Sequence, residues 1–164
     1  MIPARKRKAI ETLIVDLLSS ELGDRAARVV LFGSVARGDA DPESDIDALV
    51  FGTGELDCLS KACAVASFNT ALEWGESVEA VVYCSDELRF PSSYFLYNAL
   101  RRGEEVYQMD EKILRRQEAE SALALAREYL KSARNASANG FRRLAIDAAY
   151  NASELCVKGL LLPK

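Results

Sequence analysis

Two segments decide the fold of this chain: LFGSVARG at residues 31–38 and SDIDALV at residues 44–50. The first is typical of a strand that ends in Gly33-Ser34 and turns at once into a helix. Such a turn points free backbone N–H groups and the Ser34 hydroxyl toward one position, and Gly33 lets a ligand approach the backbone closely. The first segment therefore predicts a phosphate-binding turn.

The second segment places two carboxylates at the start of an apolar strand. Because side chains alternate along a strand, Asp45 and Asp47 should project from one face while Ile46 points to the other. Two carboxylates so close together repel each other unless a cation lies between them, and their oxygen atoms suit Mg²⁺ or Mn²⁺. Beside the phosphate-binding turn, this pair predicts a metal site that bridges nucleotide phosphates while pyrophosphate is displaced.

Each of these features also has an ordinary structural interpretation. Gly-Ser is a common turn, and Asp-x-Asp is more often solvated charge or a helix cap than a metal site. Arg37 has two interpretations, a contact to a phosphate or a surface salt bridge. The functional interpretation is favoured because the Gly-Ser turn, Arg37-Gly38 and the carboxylate pair occur in one order at one spacing.

The motif Gly-Ser-x-Ala-Arg-Gly at residues 33–38, followed by Ser-Asp-x-Asp at residues 44–47, resembles the signature of the DNA polymerase β nucleotidyltransferase superfamily. The branch it resembles is the minimal nucleotidyltransferases, over residues 1–108. The resemblance implies an α/β (α+β) fold in which a small mixed sheet is flanked by helices. It also implies nucleotide binding by Gly33, Ser34, Arg37 and Ser44.

The same resemblance implies a catalytic and metal-binding set. Asp45 and Asp47 would hold two divalent ions, Mg²⁺ or Mn²⁺, that align the triphosphate of ATP for attack. The family usually places a third carboxylate, an Asp, on a later strand, where it shares a metal and helps deprotonate the acceptor hydroxyl. Here Glu79 takes that position, and because Glu is one methylene longer, the metal or the acceptor must be displaced slightly. Glu76 is an alternative that precedes the strand and is better explained as a turn residue.

The chain changes character near residues 108–111, where we place a domain boundary. Residues 111–138 and 141–162 are rich in Ala and Leu and predict two long helices, the first capped by Asp110. Residues 147–161 resemble a helix of the HEPN family, whose domains are frequently fused to minimal nucleotidyltransferases. We therefore expect residues 111–164 to form a shortened, HEPN-like, all-α helical hairpin.

Two inferences follow for this hairpin. Many HEPN domains are ribonucleases with an Arg-polar-x-x-x-His motif, and Arg134-Asn135 resembles its start, but the chain has no histidine, so ribonuclease activity is not expected. Two helices with alanine-rich faces cannot enclose a core alone. The hairpin should therefore pack on the first domain or on a second copy, and we expect a homodimer.

Apolar periodicity and turn residues define the other elements. We expect a helix from Ala4 to about Leu22 ending at Gly23, strands over residues 28–32 and 46–51, a helix over 56–74, a strand over 77–84, a helix capped by Ser92 or Ser93 and running to Arg102, and a strand over 105–107.

Composition limits the partners and the compartment. The net charge is -4 and the pI about 5.0, which gives no support for a general grip on a nucleic-acid backbone. The basic run at residues 5–8 lies in an amphipathic helical stretch, where a solvated face is the favoured interpretation. The four cysteines have no metal-type spacing and fit a reducing cytoplasm. No apolar run is long enough to span a membrane.

Three functions are compatible with these features. The leading hypothesis is a metal-dependent nucleotidyltransferase that moves AMP from ATP to a hydroxyl acceptor, which in the systems it resembles is a tyrosine of a partner HEPN toxin, so that the chain would act as an antitoxin. The second is nucleotidyl transfer to a small molecule such as an aminoglycoside. The third, favoured by Glu79 and the short helical tail, is a nucleotide-binding or protein-binding module.

Overall fold

The computed structural model of the protein describes residues 2–20 and 23–161. The chain divides after Met109 into two compact units. In chain order, the first unit contains α1 (Ala4–Ser19), β1 (Ala26–Phe32), α2 (Gly33–Arg37), β2 (Ile46–Gly52), α3 (Leu56–Trp74), β3 (Val78–Cys84), α4 (Tyr94–Arg102) and β4 (Glu104–Gln108), with single 3-10 turns at Gly23–Arg25 and Ser85–Leu88. The second unit contains α5 (Glu111–Ala138) and α6 (Arg142–Leu161).

The four strands form one mixed sheet in the order β3-β2-β1-β4. β1 is antiparallel to both β2 and β4, whereas β2 and β3 are parallel and are joined through α3. A parallel pair needs such a crossover because its strands cannot be joined by a tight hairpin. The predicted small mixed sheet flanked by helices is confirmed, as is the helical segment at the C-terminal end.

Both faces of the sheet are covered. On one face, alternate residues of β1 and β2, including Leu31, Ile46 and Val50, pack with the apolar sides of α1 and α3. On the other face, Leu49 and Phe51 belong to a smaller cluster with side chains of α4. Because alternate residues point to opposite faces, each strand contributes to both layers.

Most of the local boundaries follow the sequence pattern. The helix predicted over residues 56–74 has those limits, Ser93 caps α4 by accepting a hydrogen bond from the Leu96 N–H, and Asp110 caps α5. The end of α1 differs from the prediction, because the helix ends at Ser19 and Gly23 begins a 3-10 turn. Leu22, where the helix was expected to end, lies outside the described residues.

The basic run at the start of α1 is not a purely solvated face, and this expectation is wrong for Lys6. The Lys6 side chain falls on the same helix face as Ile10 and is only 1% exposed. Its Nζ donates to Glu76 Oε2 at 2.6 Å and to the Ser44 carbonyl at 2.5 Å. Glu76 is therefore a buried ion-pair partner rather than a simple turn residue, and its second oxygen lies 3.0 Å from Arg5 Nε.

Trp74, the single tryptophan, connects the end of α3 to α1. Its indole N–H donates to Thr12 Oγ1 at 2.9 Å, and Lys8 Nζ lies 5.7 Å from the ring centroid. The Trp74 carbonyl accepts hydrogen bonds from the Arg5 guanidinium. These contacts fix the two helices against each other above the sheet.

The two helices of the second unit pack through small residues. Ala148, Ala152 and Gly159 recur on one side of α6 and are buried. A Cβ atom at Gly159 would lie 3.0 Å from the Leu123 side chain and 3.3 Å from the Ala119 carbonyl of α5. Small side chains at these positions thus allow the two backbones to approach closely.

Among residues 2–20 and 23–161, none of the helices combines the length and the apolar character needed to cross a bilayer.

The packing of α3 predicts a reactivity order for the cysteines, all of which are free. Burial raises the pKa of the Cys63 thiol to about 11, so this thiol stays protonated and unreactive near neutral pH, whereas Cys84 and Cys156 are exposed. We expect iodoacetamide to alkylate the two exposed cysteines in the folded protein and Cys63 only in denaturant, as measured by peptide mass spectrometry. Equal labelling rates of Cys63 and Cys84 before unfolding would contradict this packing.

Candidate active site

Three adjacent strands bring the predicted site residues to one edge of the sheet, the one at which β1 ends and β2 and β3 begin. Asp47 is the second residue of β2 and lies in register with Phe32 of β1 on one side and Glu79 of β3 on the other. Strand alternation places Asp47 and Glu79 on the face that carries Phe51, toward α4. Ile46 is buried in the opposite layer, as its neighbour pattern predicted.

The carboxylates are close enough for their charges to interact. The pKa of Asp47 is raised, first by burial and then by the negative charges of Glu79 and Asp45, while the Arg37 charge acts in the opposite direction. Asp47 is half-buried, whereas Asp45 and Glu79 are exposed. In the part of the chain that the structure describes, none of these three carboxylates has a hydrogen-bonded or ion-paired partner. The edge therefore concentrates negative charge that a cation would neutralise.

Gly33 lies directly against the Asp47 carboxylate. Its backbone has φ +69°, which favours glycine, and a Cβ atom built there would lie 2.0 Å from Asp47 Oδ2. Both the conformation and the available space thus require glycine at this position. The glycine turn and the aspartate, predicted as separate features of the sequence, are parts of one contact.

Ser34 and Arg37 belong to the short helix α2 that follows this contact. Ser34 is half-buried, and its backbone carbonyl accepts a hydrogen bond from the Asp39 N–H at 3.1 Å. Arg37 Nε lies 3.2 Å from Asp39 Oδ2 in an exposed ion pair. Arg37 therefore forms the surface salt bridge, while its charge also acts on Asp47. The phosphate contacts of Ser34 and Arg37 stay predictions.

The Ser44 hydroxyl has a partner within its own loop. It accepts a hydrogen bond from the Asp41 N–H at 3.0 Å and lies 2.9 Å from Asp41 Oδ1, to which it donates. The hydrogen bond from Ser44 is the largest influence on Asp41 and lowers the pKa of that carboxyl. Ser44 thus shapes the loop that leads into Asp45, and its nucleotide contact stays a prediction.

The donor set suits a metal that is bound together with a nucleotide. Within the described residues, no group of three or more Cys, Asp or Glu side chains is arranged to hold an ion by itself. Mg²⁺ is usually held by one or two carboxylates plus substrate phosphates rather than by a closed protein cage. Asp45 and Asp47, with oxygen atoms free for an ion, therefore fit a metal whose remaining ligands come from a triphosphate and water.

Two features of the site were not found from the sequence. Phe95 of α4 packs edge-on against Phe32 with ring centroids 5.3 Å apart and remains 49% exposed beside the strand edge. No short motif marks such a residue. The buried Lys6 next to Glu76 was also missed, although its spacing of four residues from Ile10 placed it on the apolar face of α1.

The sequence matches two family models and two curated proteins. Residues 13–95 match the nucleotidyltransferase domain, and residues 119–164 match the HEPN domain. A putative protein adenylyltransferase of Methanocaldococcus jannaschii is 32% identical over 103 residues, which is 62% of this chain and 98% of that protein. A second putative protein adenylyltransferase of the same organism is 58% identical over 33 residues, which is 20% of this chain and 33% of that protein.

Solved structures of toxin–antitoxin proteins superpose on much of the chain. One, a toxin–antitoxin with AMP-PNP, has a TM-score of 0.43 and 19% identity and covers 82% of this chain and 96% of its own. Another, a toxin–antitoxin mutant, has a TM-score of 0.42 and 16% identity and covers 85% of this chain and 98% of its own.

The Gly33–Asp47 contact predicts that Gly33→Ala abolishes binding of a Mg²⁺-nucleotide. The added methyl group would displace the Asp47 carboxylate, and the positive φ alone should lower the free energy of unfolding by about 1 kcal/mol. Gly140→Ala is the matched control, because Gly140 has φ +81° and a Cβ there meets no atom within 4 Å beyond its immediate chain neighbours. Calorimetry with Mg²⁺ and a non-hydrolysable ATP analogue measures binding. Equal binding by both variants would contradict the role of this contact.

Proposed function

Since this chain belongs to the nucleotidyltransferase domain family, we propose that it moves AMP from ATP to a hydroxyl group of a protein in a reaction that requires Mg²⁺ or Mn²⁺. The observation that carries the proposal is the position of Asp47 on β2, against the Gly33 backbone and in register with Glu79 of β3. This arrangement joins a carboxylate, a glycine turn and a second carboxylate at one edge. Nucleotidyl transfer needs groups of these kinds at one position.

The residues of the glycine turn would bind the triphosphate. In the proposed complex, the Gly33-Ser34 backbone approaches the phosphates, which the absence of a side chain at Gly33 permits. Arg37, whose present partner Asp39 is equally exposed, exchanges a weak surface ion pair for a phosphate contact. Divalent ions bound with the nucleotide would neutralise the charge that develops on the phosphates. Asp45 and Asp47 are the residues that would hold them.

Glu79 would act on the acceptor hydroxyl. It lies on the same face as Asp47, one strand farther toward the edge of the sheet, and its carboxylate is exposed. A base must come within hydrogen-bond reach of the proton that it accepts, and an exposed edge strand leaves room for that approach. The additional methylene of Glu79 relative to Asp carries its carboxylate farther from the β3 backbone.

The proposed acceptor is a protein rather than a small molecule. The curated proteins to which this chain is similar are named putative protein adenylyltransferases. Asp45 and Glu79 are exposed, so a hydroxyl group on the surface of another protein could reach them. As the sequence resemblance implies, we propose a tyrosine of a HEPN-type toxin as the acceptor and an antitoxin role for this chain.

The four free cysteines are compatible with a reducing cytoplasm.

We also propose that the protein forms a homodimer through α6. The side of α6 opposite its buried small residues carries exposed apolar side chains at helical spacing, namely Ile146, Tyr150, Val157 and Leu161. Ser153 and Glu154 lie on the same surface between Tyr150 and Val157. An exposed apolar stripe is nevertheless typical of an interaction surface. A second copy would present the same stripe, so a two-fold interface between α6 helices would cover both.

Asp45→Asn and Asp47→Asn should each lower AMP transfer by on the order of 100-fold or more, because each removes a negative ligand of the metal that stabilises the phosphate charge. The measurement is transfer of label from α-labelled ATP together with release of pyrophosphate. Asp57→Asn, an exposed carboxylate in the first turn of α3, is the matched control and should leave the rate unchanged. Undiminished transfer by Asp45→Asn would refute the assignment.

An acceptor screen separates the proposed function from its competitors. Candidate HEPN-type proteins, aminoglycosides and water are each offered with Mg²⁺ and α-labelled ATP. Labelling of a tyrosine on a HEPN-type protein supports the proposal, and labelling of an aminoglycoside alone would replace it with small-molecule transfer. Binding of Mg²⁺-ATP without release of pyrophosphate from ATP in the presence of any of these acceptors would show that the chain is a binding module.

Val157→Glu should convert the proposed dimer into a monomer, because it places a charge on an apolar side chain of the stripe. Light scattering coupled to size exclusion measures the mass. Val65→Glu is the matched control, since Val65 lies on α3 and is 61% exposed, close to the 55% of Val157. A wild-type protein that elutes as a monomer at micromolar concentration would end the dimer proposal.

A further inference from the structure

The side chain of Lys6 is buried and makes two contacts that the proposed chemistry does not use. Its ammonium group donates to a carboxylate oxygen of Glu76 at 2.6 Å and to the backbone carbonyl of Ser44 at 2.5 Å. A lysine ammonium carries three donors, so one nitrogen atom can hold both acceptors at once. Buried polar groups are costly to leave unpaired, and such contacts are therefore kept.

The two acceptors occupy equivalent positions in neighbouring strands. Ser44 lies two residues before β2 begins at Ile46, and Glu76 lies two residues before β3 begins at Val78. The strands are parallel, and Ile46 and Val78 are register partners. Lys6 therefore links the two segments that lead into β2 and β3, which we call the strand entries. The hydrogen bond from the Ile46 N–H to the Ser77 carbonyl, at 2.9 Å, lies next to this link.

The residue that follows Ile46 in β2 and the residue that follows Val78 in β3 are both site carboxylates. Asp47 and Glu79 are each the second residue of their strand and are register partners on one face. Because both side chains are carboxylates at register positions of neighbouring strands, their negative charges repel. Repulsion between the two carboxylates favours separation of β2 from β3. The link that Lys6 makes between the strand entries opposes that separation.

We propose that Lys6 is a positioning residue, which sets the spacing of Asp45 and Asp47 relative to Glu79 by joining Ser44 to Glu76 beneath them. The inference rests on the proposed function, because the spacing matters for the metal and nucleotide that these carboxylates would hold. Catalytic groups must keep their geometry closely, and a displacement of about 1 Å can lower a rate on the order of 100-fold.

The contact to Ser44 distinguishes this role from simple neutralisation of Glu76. Arg5 already supplies a positive charge to the other oxygen of Glu76, with Nε at 3.0 Å from Oε1. The bond from Lys6 to the Ser44 carbonyl adds nothing to that neutralisation. It connects the loop that ends in Asp45 to the entry of β3.

The test uses Lys6→Met, the double variant Lys6→Met/Glu76→Met and the control Arg7→Met. Methionine keeps an unbranched apolar side chain but has no donor, so both test variants lose the bond to Ser44. Lys6→Met alone leaves the buried Glu76 without its closest cation, which should destabilise the fold. The double variant removes that carboxylate as well, so we expect it to remain folded. Arg7 is an exposed neighbour on the same helix and controls for loss of one positive charge from α1.

The first readout is hydrogen exchange, which needs neither metal nor activity. In the double variant we expect the amides of residues 41–46 to exchange at least tenfold faster, with those of α4 unchanged. The Arg7→Met protein should match the wild type throughout. Unchanged exchange at residues 41–46 in a folded double variant would overturn the inference.

The second readout is Mn²⁺ binding by electron paramagnetic resonance with a non-hydrolysable ATP analogue, together with kcat and KM for ATP. We expect weaker Mn²⁺ binding and a kcat on the order of 10-fold to 100-fold lower in the double variant, at temperatures where circular dichroism shows it folded. Wild-type Mn²⁺ affinity and kcat in that variant would overturn the positioning role.

The two readouts separate this inference from the proposed function. If the wild type binds no Mn²⁺ with the nucleotide analogue, the proposed function fails, and the exchange measurement still decides whether Lys6 holds the strand entries. If the wild type binds Mn²⁺ and transfers AMP but the double variant does so equally well, only the role of Lys6 fails.

Discussion

Three acidic side chains can share one edge of a sheet only if the backbone holds them there against their mutual repulsion. In this protein the ladders of three adjacent strands provide that constraint. Asp47 lies in register with Phe32 on one side and Glu79 on the other, and its carboxylate rests against Gly33. The clustering of these negative charges is therefore a consequence of strand register, and the place of the cluster depends on the order β3-β2-β1.

The sequence predicted the local parts of this arrangement because short-range rules govern them. Alternation along a strand was sufficient to separate Asp47 from Ile46, and side-chain caps marked the starts of α4 and α5 at Ser93 and Asp110. The family resemblance supplied the roles of the candidate site residues. These roles stay predictions, whereas the mixed sheet and the membership of the nucleotidyltransferase family are confirmed.

Contacts between residues distant in sequence were not predictable in the same way. Lys6 and Glu76 are separated by 70 positions, and nothing in either segment indicates the other. The edge-on contact of Phe95 with Phe32 depends on how α4 crosses the sheet. The family motif implies a nucleotide contact for Ser44, whereas only the loop geometry reveals the bond from its hydroxyl to Asp41. Tertiary packing decides the first two contacts, and no fixed spacing encodes them. The Ser44–Asp41 bond spans three residues and belongs to the conformation of one loop.

The position of Trp74 gives the protein an intrinsic fluorophore at the junction of α1 and α3. Its indole is bonded to Thr12, its carbonyl holds Arg5, and Lys8 lies over its ring, so every one of these partners comes from α1. Because the chain has one tryptophan, its emission arises from this junction alone. Detachment of the first helix from the third would expose the ring to water and shift the emission to longer wavelength, with no added label.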